Sequence, residues 1–348
     1  MDASVAVQLL ATMPMRFAGL VLENTNRCNS RCSMCYQSSG PKGSDVLGKA
    51  HLPFDVMARV IREARNVPTL SRRFHLAGGE AFMHMDECVA LFQVARDAGY
   101  VDLTGTTNGS WARSSAVADK VAARLREAGV TSLEISWDYW HQSYISPASV
   151  GRAISACFES GIECNLRILT TRSHNLEEAL SLIPQDNLAL ASRITSGPVF
   201  ATGRASHSLA PEEFHDTGGG LSGACHPSLN LTVNSLGNVF PCCAGFDQTK
   251  HYLFGNVRDE SIAVIAERIN ADPIARVVVF RGISQLLPVL DQAGICLDGK
   301  FRGICQLCWT IFSSPECVQA LRKHTQKAQQ RALERLSANM LAVEKACA

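Results

Sequence analysis

Short apolar segments alternate with amphipathic segments of helical length along the first two hundred residues. The apolar segments are rich in β-branched and aromatic residues, and several end in Gly, Asn or Asp, which is typical of strands that run into turns. We predict strands over residues 17–23, 74–79, 101–109, 132–138, 163–169 and 193–200.

Between these strands, apolar residues recur at helical spacing. We predict helices over residues 54–66, 86–98, 115–128, 149–160 and 176–183. Strands that alternate with helices of this length form βαβ units and a parallel sheet. The pattern therefore predicts an α/β fold, a partial (β/α)6 TIM-like barrel, with ligands at the carboxyl ends of its strands.

The alternation stops after residue 200. Residues 201–223 are rich in Gly, Ser and Pro, which predicts a linker or a long loop. From Pro315 to the end the chain favours a helix with one polar face. We predict a barrel over residues 14–200, a small extension over residues 201–317 and a C-terminal helix over residues 318–348.

Charge and hydropathy exclude several classes of partner. The 348 residues include 33 Lys and Arg and 32 Asp and Glu, for a net charge of +1, and they contain no basic block. We therefore expect no nucleic-acid partner. No apolar run approaches the roughly 18 residues of a membrane span, and the first residues lack the positive start of a signal peptide. We expect a cytoplasmic protein with no membrane contact.

Fourteen cysteines stand out in such a chain. In a large chain without a secretory signal, cysteines are more typical of metal ligands or reactive thiols than of disulfides. Seven of them occur in two groups: Cys28, Cys32 and Cys35, then Cys225, Cys242, Cys305 and Cys308. The remaining cysteines are typical of small buried apolar side chains, with Cys243 the one that has a second interpretation.

The first group follows the first predicted strand directly. Three thiolates at spacings of four and three residues can hold three corners of a [4Fe–4S] cube and leave the fourth iron open to another ligand. Zinc is the alternative, but a zinc site wants a fourth protein ligand within a few residues, and the sequence offers none there.

This segment resembles the signature of the radical SAM superfamily. The superfamily carries C-x3-C-x2-C with an aromatic residue beside the last cysteine, which Cys28, Cys32, Cys35 and Tyr36 match. The resemblance implies that S-adenosylmethionine binds the open iron. It also implies that one electron from the cluster cleaves this cofactor to a 5′-deoxyadenosyl radical, which abstracts a hydrogen atom from a substrate.

The ends of later strands carry further residues of this resemblance. Gly78, Gly79 and Glu80 resemble the GGE segment that meets the methionine amino group, since glycine permits close backbone approach and a carboxylate pairs with an ammonium. By the same resemblance, four polar residues at strand ends reach the ribose and the methionine carboxylate: Asn108, Ser136, Asp138 and Arg167. Each one alone is equally typical of an ordinary polar residue at a barrel mouth.

The second cysteine group resembles the twitch or SPASM-type extension of radical SAM enzymes. In that extension C-x9–15-G-x4-C forms a hairpin, here Cys225, Gly237 and Cys242, and a later C-x2-C, here Cys305 and Cys308, completes an auxiliary [4Fe–4S] cluster. The full SPASM run C-x2-C-x5-C-x3-C is absent, so we expect one auxiliary cluster. A zinc ribbon would be the alternative without the N-terminal group.

Two smaller features suggest roles in the reaction. Residues 136–144 gather aromatic side chains and His141 after the fourth strand, either to meet substrate, with His141 accepting a proton, or simply to pack the barrel rim. Cys243 follows Cys242, and neighbours on a strand point to opposite sides. Cys243 is therefore either a buried filler or a thiol near the reaction.

The resemblance implies an oxidoreductase or maturase that acts on a natural-product precursor, either a peptide or an aminocyclitol. We expect oxidation, by dehydrogenation or cross-linking, with the auxiliary cluster as electron acceptor; the alternative is epimerisation with Cys243 as hydrogen donor. Expected partners are a flavodoxin- or ferredoxin-type electron donor and, because few residues precede Cys28, a separate peptide-binding protein. A two-cluster electron carrier or a zinc-stabilised binding module is the non-enzymatic alternative.

Overall fold

A computed structural model describes residues 13–216, 221, 223–225, 229–242, 249–297 and 301–347, with side chains as far as residue 331. The described residues contain one eight-stranded sheet. Its strands are β1 (Leu20–Glu23), β2 (Arg73–Ala77), β3 (Asp102–Thr107), β4 (Ser132–Ser136), β5 (Glu163–Thr170), β6 (Arg193–Pro198), β7 (Leu231–Val233) and β8 (Val239–Phe240).

The strand order in the sheet is β6-β5-β4-β3-β2-β1-β7-β8. The first six strands are parallel, and each lies beside its predecessor, which confirms the predicted six-stranded parallel core. β7 adds to the free edge of β1 in parallel, and β8 returns antiparallel to β7. The C-terminal extension is therefore continuous with the barrel sheet.

Helices follow the parallel strands and continue through the C-terminal part of the chain. Their bounds are α1 (Phe54–Ala64), α2 (Met85–Asp97), α3 (Ser115–Glu127), α4 (Pro147–Glu159), α5 (Leu176–Leu182), α6 (Gln185–Leu188), α7 (Ala205–Ser208), α8 (Ile262–Ala271), α9 (Pro273–Arg281), α10 (Leu287–Gln292), α11 (Ile304–Ser313) and α12 (Pro315–Cys347).

The core lies between the sheet and its covering helices. On β2, Phe74 and Leu76 are fully buried, whereas His75 between them is only partly buried. Successive strand residues face opposite sides of a sheet, so His75 faces the other side, the barrel interior. The same alternation on β4 buries Leu133 and Ile135 and leaves the intervening residue part-exposed. The outer face is thus apolar, and the inner face is polar.

Local sequence explains where the helices begin. The side chains of Ser114, Ser146 and Asn175 each accept a hydrogen bond from a backbone N–H in the first turn of α3, α4 and α5, respectively. Such side chains satisfy donors that have no partner inside the helix. In α4, Pro147 at the first helical position adds a fixed backbone angle that suits a helix start.

The start of the predicted linker at residues 201–223 is a packed segment instead. Thr202, Ala205 and Arg204 are at most 6% exposed, and α7 begins within the segment. The composition of the segment predicted a loop because Gly and Ser are frequent in loops. Composition carries no information about which other parts of the chain the segment contacts. The contacts here are with the N-terminal cysteine loop, described below.

Among the described residues, no helix is long and apolar enough to cross a membrane.

Candidate active site

The N-terminal cysteines lie in the long loop between β1 and α1. Backbone hydrogen bonds from Cys28 N–H to the Gly40 carbonyl (3.0 Å) and from Cys35 N–H to the Cys32 carbonyl (3.2 Å) fold this loop back on itself. Cys32 is buried, and Cys28 and Cys35 are partly buried. The loop therefore holds all three cysteines in the folded segment that follows β1.

Electrostatics at these thiols disfavour free thiolates. Burial, and next the Glu80 carboxylate, raise the pKa of Cys28, and burial raises the pKa of Cys35. Charge on Cys35 or on Cys32 also raises the pKa of Cys28, so the three thiols are neighbours. A buried thiolate needs a compensating cation, and iron supplies it.

A single metal ion and a [4Fe–4S] cluster require different spacings between their thiol ligands. Within the described part of the chain, no three His, Cys, Asp or Glu side chains converge closely enough to bind a single metal ion. In a [4Fe–4S] cube each thiolate binds a different iron, so its ligands stand further apart than those of zinc.

Two glycines let the end of β2 pack against this loop. Gly79 N–H donates to the Thr25 carbonyl at 2.8 Å, and Glu80 N–H donates to the Arg27 carbonyl at 2.8 Å. A Cβ on Gly79 would stand 2.2 Å from the Arg27 carbonyl oxygen, and one on Gly78 would stand 2.6 Å from that of Thr25. In this structure, the close contact that requires glycine at these positions is with the backbone of the cysteine loop.

Glu80 is almost fully buried at 2% exposure. Its carboxylate accepts hydrogen bonds from Phe82 N–H (3.2 Å), from the Thr107 hydroxyl (2.7 Å) and from Asn108 N–H (2.7 Å). Burial raises the pKa of Glu80 to about 7, and these hydrogen bonds oppose the rise. Glu80 thus ties the end of β3 to the end of β2 next to Cys28.

Asn108, at the end of β3, points into the cysteine loop. Its Nδ2 donates to Asn29 Oδ1 at 2.8 Å and lies 3.9 Å from Cys28 Sγ. Asn108 is 3% exposed. This predicted site residue is therefore next to a predicted cluster ligand.

Asp138 and His141 form a buried pair after β4. His141 Nδ1 lies 2.9 Å from Asp138 Oδ1, which also accepts from Trp140 N–H at 3.2 Å. Burial would lower the pKa of His141, but Asp138, and after it the adjacent Cys32, raise it well above its usual value. Asp138 Oδ2 is buried and has no partner among the described residues. The pair lies beside the cysteine loop.

The aromatic residues around this pair divide between core and surface. Trp137 and Trp140 are buried, and Tyr139 and Tyr144 are 42% and 47% exposed. Tyr139 stacks on His174, with ring centroids 3.3 Å apart. The two tryptophans of this loop thus pack in the barrel, and the two tyrosines are partly exposed at its rim.

The other predicted cofactor residues lie on neighbouring strands. Ser136 and Arg167 are register partners on β4 and β5. The Arg167 guanidinium reaches across to β6, where a Cβ on Gly197 would stand 2.7 Å from it. Tyr36 lies on the far side of the cysteine loop, with its backbone against Gly203. Ser136 and Arg167 are therefore direct neighbours in the sheet, and Tyr36 belongs to the loop that follows β1.

The members of the second cysteine group lie on three separate segments of the chain. Cys242 follows β8 in the predicted hairpin, with Gly237 in its turn, and Cys305 and Cys308 lie one turn apart on α11. Burial, and next the charge of Cys225, raise the pKa of Cys305 to about 11 and that of Cys308 well above its usual value. Cys225 and the α11 thiols are therefore neighbours. Cys243 lies outside the described residues.

The sequence did not reveal several residues that support the site through hydrogen bonds. Arg204 bonds to the cysteine loop, and Gln37 Nε2 donates to Glu23 Oε1 at 2.5 Å. His75 faces the barrel interior between Thr104 and Thr106. In the sequence, Arg204 is a lone arginine in a Gly- and Ser-rich segment. The composition of such a segment predicts a solvent-exposed loop, so it gave no indication that this arginine is buried.

Fold and site together define an iron–sulfur enzyme built on a partial α/β barrel. A family model described as the radical SAM superfamily matches residues 22–183, and the SPASM model, an iron–sulfur cluster-binding domain, matches residues 225–309. The chain therefore carries a radical SAM domain followed by a SPASM domain. Its cofactors are [4Fe–4S] clusters and S-adenosylmethionine.

Similarity to individual proteins extends over most of the chain. It is 21% identical over 314 residues to YydG of Bacillus subtilis (strain 168), whose name gives it a proposed role in peptide biosynthesis; the match covers 87% of this chain and 94% of that protein. Over 134 residues it is 33% identical to GTP 3′,8-cyclase of Cronobacter sakazakii (strain ATCC BAA-894), covering 38% of each protein.

A solved structure, anSMEcpe with bound AdoMet, superposes with a TM-score of 0.53 at 15% identity, covering 91% of this chain and 98% of the other. A His-tagged form of the same protein, also with bound AdoMet, gives a TM-score of 0.51 at 14% identity. At such identity the likeness establishes the common fold.

Proposed function

We propose that this enzyme abstracts a hydrogen atom from a peptide and so modifies it. The observation that carries the proposal is the similarity to YydG along almost the whole of both chains, because YydG is named for peptide biosynthesis. No comparable observation favours the aminocyclitol alternative.

In the proposed mechanism Cys28, Cys32 and Cys35 hold the catalytic cluster. A cluster held there would supply the electron for reductive cleavage of S-adenosylmethionine, and this chemistry would remove a hydrogen atom from the bound peptide. The residues proposed to hold S-adenosylmethionine are Tyr36, Gly78, Gly79, Glu80, Asn108, Ser136, Asp138 and Arg167. The position of Asn108 beside Cys28 and the unpartnered oxygen of Asp138 support this assignment.

His141 has a different proposed role from the one its sequence position suggested. Its ring is 8% exposed and hydrogen-bonded to Asp138, so it has little access to a substrate proton. We propose that it orients Asp138 and supports the loop around Cys32. The exposed Tyr139 and Tyr144 are better placed to contact a peptide, since exposed aromatic rings bind apolar side chains at low entropic cost.

We propose oxidation as the outcome of the reaction. Removal of a second electron and of a proton from the substrate radical completes an oxidation; the proton would pass to water, and Cys225, Cys242, Cys305 and Cys308 would hold the cluster that accepts the electron. If instead the thiol of Cys243 returns a hydrogen atom, the result is epimerisation, and the thiyl radical left on Cys243 would be restored by one electron from the reductant and a proton from water. The mass of the product distinguishes these outcomes.

The proposed partners are a flavodoxin- or ferredoxin-type reductant and a separate peptide-binding protein. The proposed division of the chain remains a barrel over residues 14–200, an extension over residues 201–317 and a terminal helix over residues 318–348.

The test uses anaerobically purified holoenzyme with dithionite and S-adenosylmethionine. A synthetic peptide encoded by a short reading frame beside this gene is added, and 5′-deoxyadenosine and peptide mass are followed by mass spectrometry. We expect 5′-deoxyadenosine to form in step with modified peptide. Turnover of an aminocyclitol, with every such peptide left unchanged, would contradict the proposal and leave the radical SAM assignment intact.

A further inference from the structure

Arg204, in the segment between β6 and α7, is a buried charge that binds the backbone of the N-terminal cysteine loop. Its side chain is 6% exposed. Nη1 donates to the Cys32 carbonyl at 2.8 Å, and Nη2 donates to the carbonyls of Ser38 and Ser39 at 2.6 and 2.7 Å. One guanidinium therefore joins both ends of the segment that contains the second and third cysteines.

The backbone at this position binds the same loop. Arg204 N–H donates to the Cys35 carbonyl at 3.0 Å. Gly203 has a φ of +56°, and a Cβ there would stand 1.9 Å from the Tyr36 carbonyl oxygen. Only glycine permits this approach, so the segment after β6 is shaped to fit the loop.

Asp45 provides the acidic partner of this arginine. Arg204 Nε donates to Asp45 Oδ2 at 2.9 Å, and the same carboxylate pairs with Arg31 at 3.1 Å. Burial opposes ionisation of Asp45, but the hydrogen bonds from Arg204 and Arg31 hold its pKa below its usual value. Arg204 is thus a permanent positive charge that Asp45 partly neutralises.

This charge lies against two proposed cluster ligands. Arg204 Nη1 donates to the Cys32 carbonyl, and Arg204 N–H donates to the Cys35 carbonyl. Cluster potentials depend on the net charge and hydrogen bonding around the sulfurs. Adding an electron to the cluster adds negative charge, which a nearby cation stabilises.

We propose that Arg204 is a positioning residue of the catalytic cluster. The four acceptors that its guanidinium binds fix the loop that carries Cys32 and Cys35. Its positive charge raises the reduction potential of the cluster, and Asp45 limits the size of that increase. Arg204 contacts neither substrate nor reacting atoms. It acts through the loop, and it joins the cluster to the segment that leads from the barrel to the SPASM domain.

The test is an EPR-monitored redox titration of reconstituted holoenzyme. Arg204→Met should lower the midpoint potential, leaving an about tenfold smaller ratio of reduced to oxidised cluster at a fixed solution potential. Arg204→Lys keeps the charge and should stay closer to the wild-type potential, but it cannot reach all four acceptors, so it should lose iron faster under oxygen. Arg172→Met, at an exposed arginine paired with Asp216, is the matched control and should change neither quantity.

Asp45→Asn supplies a change of opposite sign. It removes the neutralising carboxylate and leaves the carbonyl bonds of Arg204 in place, so the midpoint potential should rise. If Arg204→Met fails to hold the catalytic cluster while it retains the auxiliary iron, the positioning role is supported, and Asp45→Asn then decides the role of charge. Wild-type potential and iron retention in both Arg204→Met and Asp45→Asn would overturn the proposal, and so would a fall in potential in Asp45→Asn.

Discussion

At the scale of single residues, Asp138 combines a structural and a proposed binding role in one carboxylate. One oxygen is bonded to His141 and Trp140, and the other is buried without a partner among the described residues. An unsatisfied buried acceptor costs about 1–3 kcal/mol, and more when it is charged. A hydroxyl donor from a bound cofactor would remove this cost, which is the physical reason to place Asp138 in the cofactor site.

The cysteine triad gives the most direct prediction at this scale. With Cys28, Cys32 and Cys35 all changed to alanine, the anaerobically purified protein should lose roughly half of its about eight irons, since one of two cubes is gone. Formation of 5′-deoxyadenosine from S-adenosylmethionine should be lost as well. Iron analysis and chromatography of the nucleoside measure these two outcomes.

Cys88→Ala is the control for the triad. Cys88 is fully buried and donates to the Ala81 carbonyl, at a position with no proposed ligand role. Its replacement should cost some packing stability and leave iron content and cofactor cleavage unchanged. Undiminished iron in the triple variant would show that the catalytic cluster is held elsewhere.

His75 gives a prediction about pH. Burial, and then the nearby Arg73, lower the pKa of His75 to about 4, and both ring nitrogens are bonded to threonine hydroxyls. Between about pH 6.5 and pH 4 the unfolded chain binds a proton that the folded protein does not, so stability falls as pH falls. From pH 7.5 to pH 5.5 this amounts to about 1 kcal/mol.

Denaturant unfolding of wild type and His75→Gln at these two pH values isolates this contribution. Gln keeps a donor and an acceptor but does not titrate, so the variant should show a smaller loss of stability on acidification. His324→Gln, at an exposed histidine, should behave as wild type. Equal acid sensitivity in all three proteins would mean that His75 is not held neutral in the folded state.

At the scale of elements, local chemistry made the barrel predictable. Periodicity placed each strand of the barrel, and the differences lie at the ends. β2 ends at Ala77 because Gly79 beyond it bonds to the cysteine loop, and α4 begins at Pro147 because Ser146 caps it. Propensity does not contain these contacts, so end positions are the part that sequence alone misses.

The SPASM hairpin and α11 give the prediction at this scale. Cys308→Ala should lower stability and remove auxiliary iron, because ligand and fold are coupled where a cluster joins separate elements. Slow cleavage of S-adenosylmethionine should survive, since the catalytic cluster is intact. Iron content and thermal unfolding of holoprotein measure this. Cys317→Ala, at a buried cysteine on α12, should cost packing stability but no iron.

At the scale of the whole molecule, the least predictable feature is how the two domains join. β7 pairs with β1 across about two hundred residues of sequence, and Arg204 bonds back to a loop some 170 residues earlier. No periodicity signals such contacts, because they depend on which edges and charges the folded barrel leaves available. The cysteine motifs were predictable for the opposite reason, since their spacing is local and their chemistry is narrow.

The last prediction concerns the product of the whole reaction. The substrate radical is either oxidised or given back a hydrogen atom, and the two outcomes give different peptides. Oxidation should give a peptide lighter by two hydrogens, with no deuterium on carbon when the reaction runs in deuterated water. Epimerisation should leave the mass unchanged in ordinary water and add one deuterium at the inverted carbon, because a thiol exchanges its hydrogen with solvent before donating it.

Cys243→Ala separates the two routes with both clusters retained. On the oxidative route the variant should still make the lighter peptide, since the electron leaves through the auxiliary cluster and no thiol takes part. On the epimerising route it should still form 5′-deoxyadenosine but lose the deuterated product, since the hydrogen donor is gone. Cys296→Ala, at an exposed cysteine outside the proposed ligand set, should match wild type on either route. A two-hydrogen loss that disappears in Cys243→Ala while iron content holds would contradict both routes, because the thiol would then be needed for an oxidation that the auxiliary cluster was to complete.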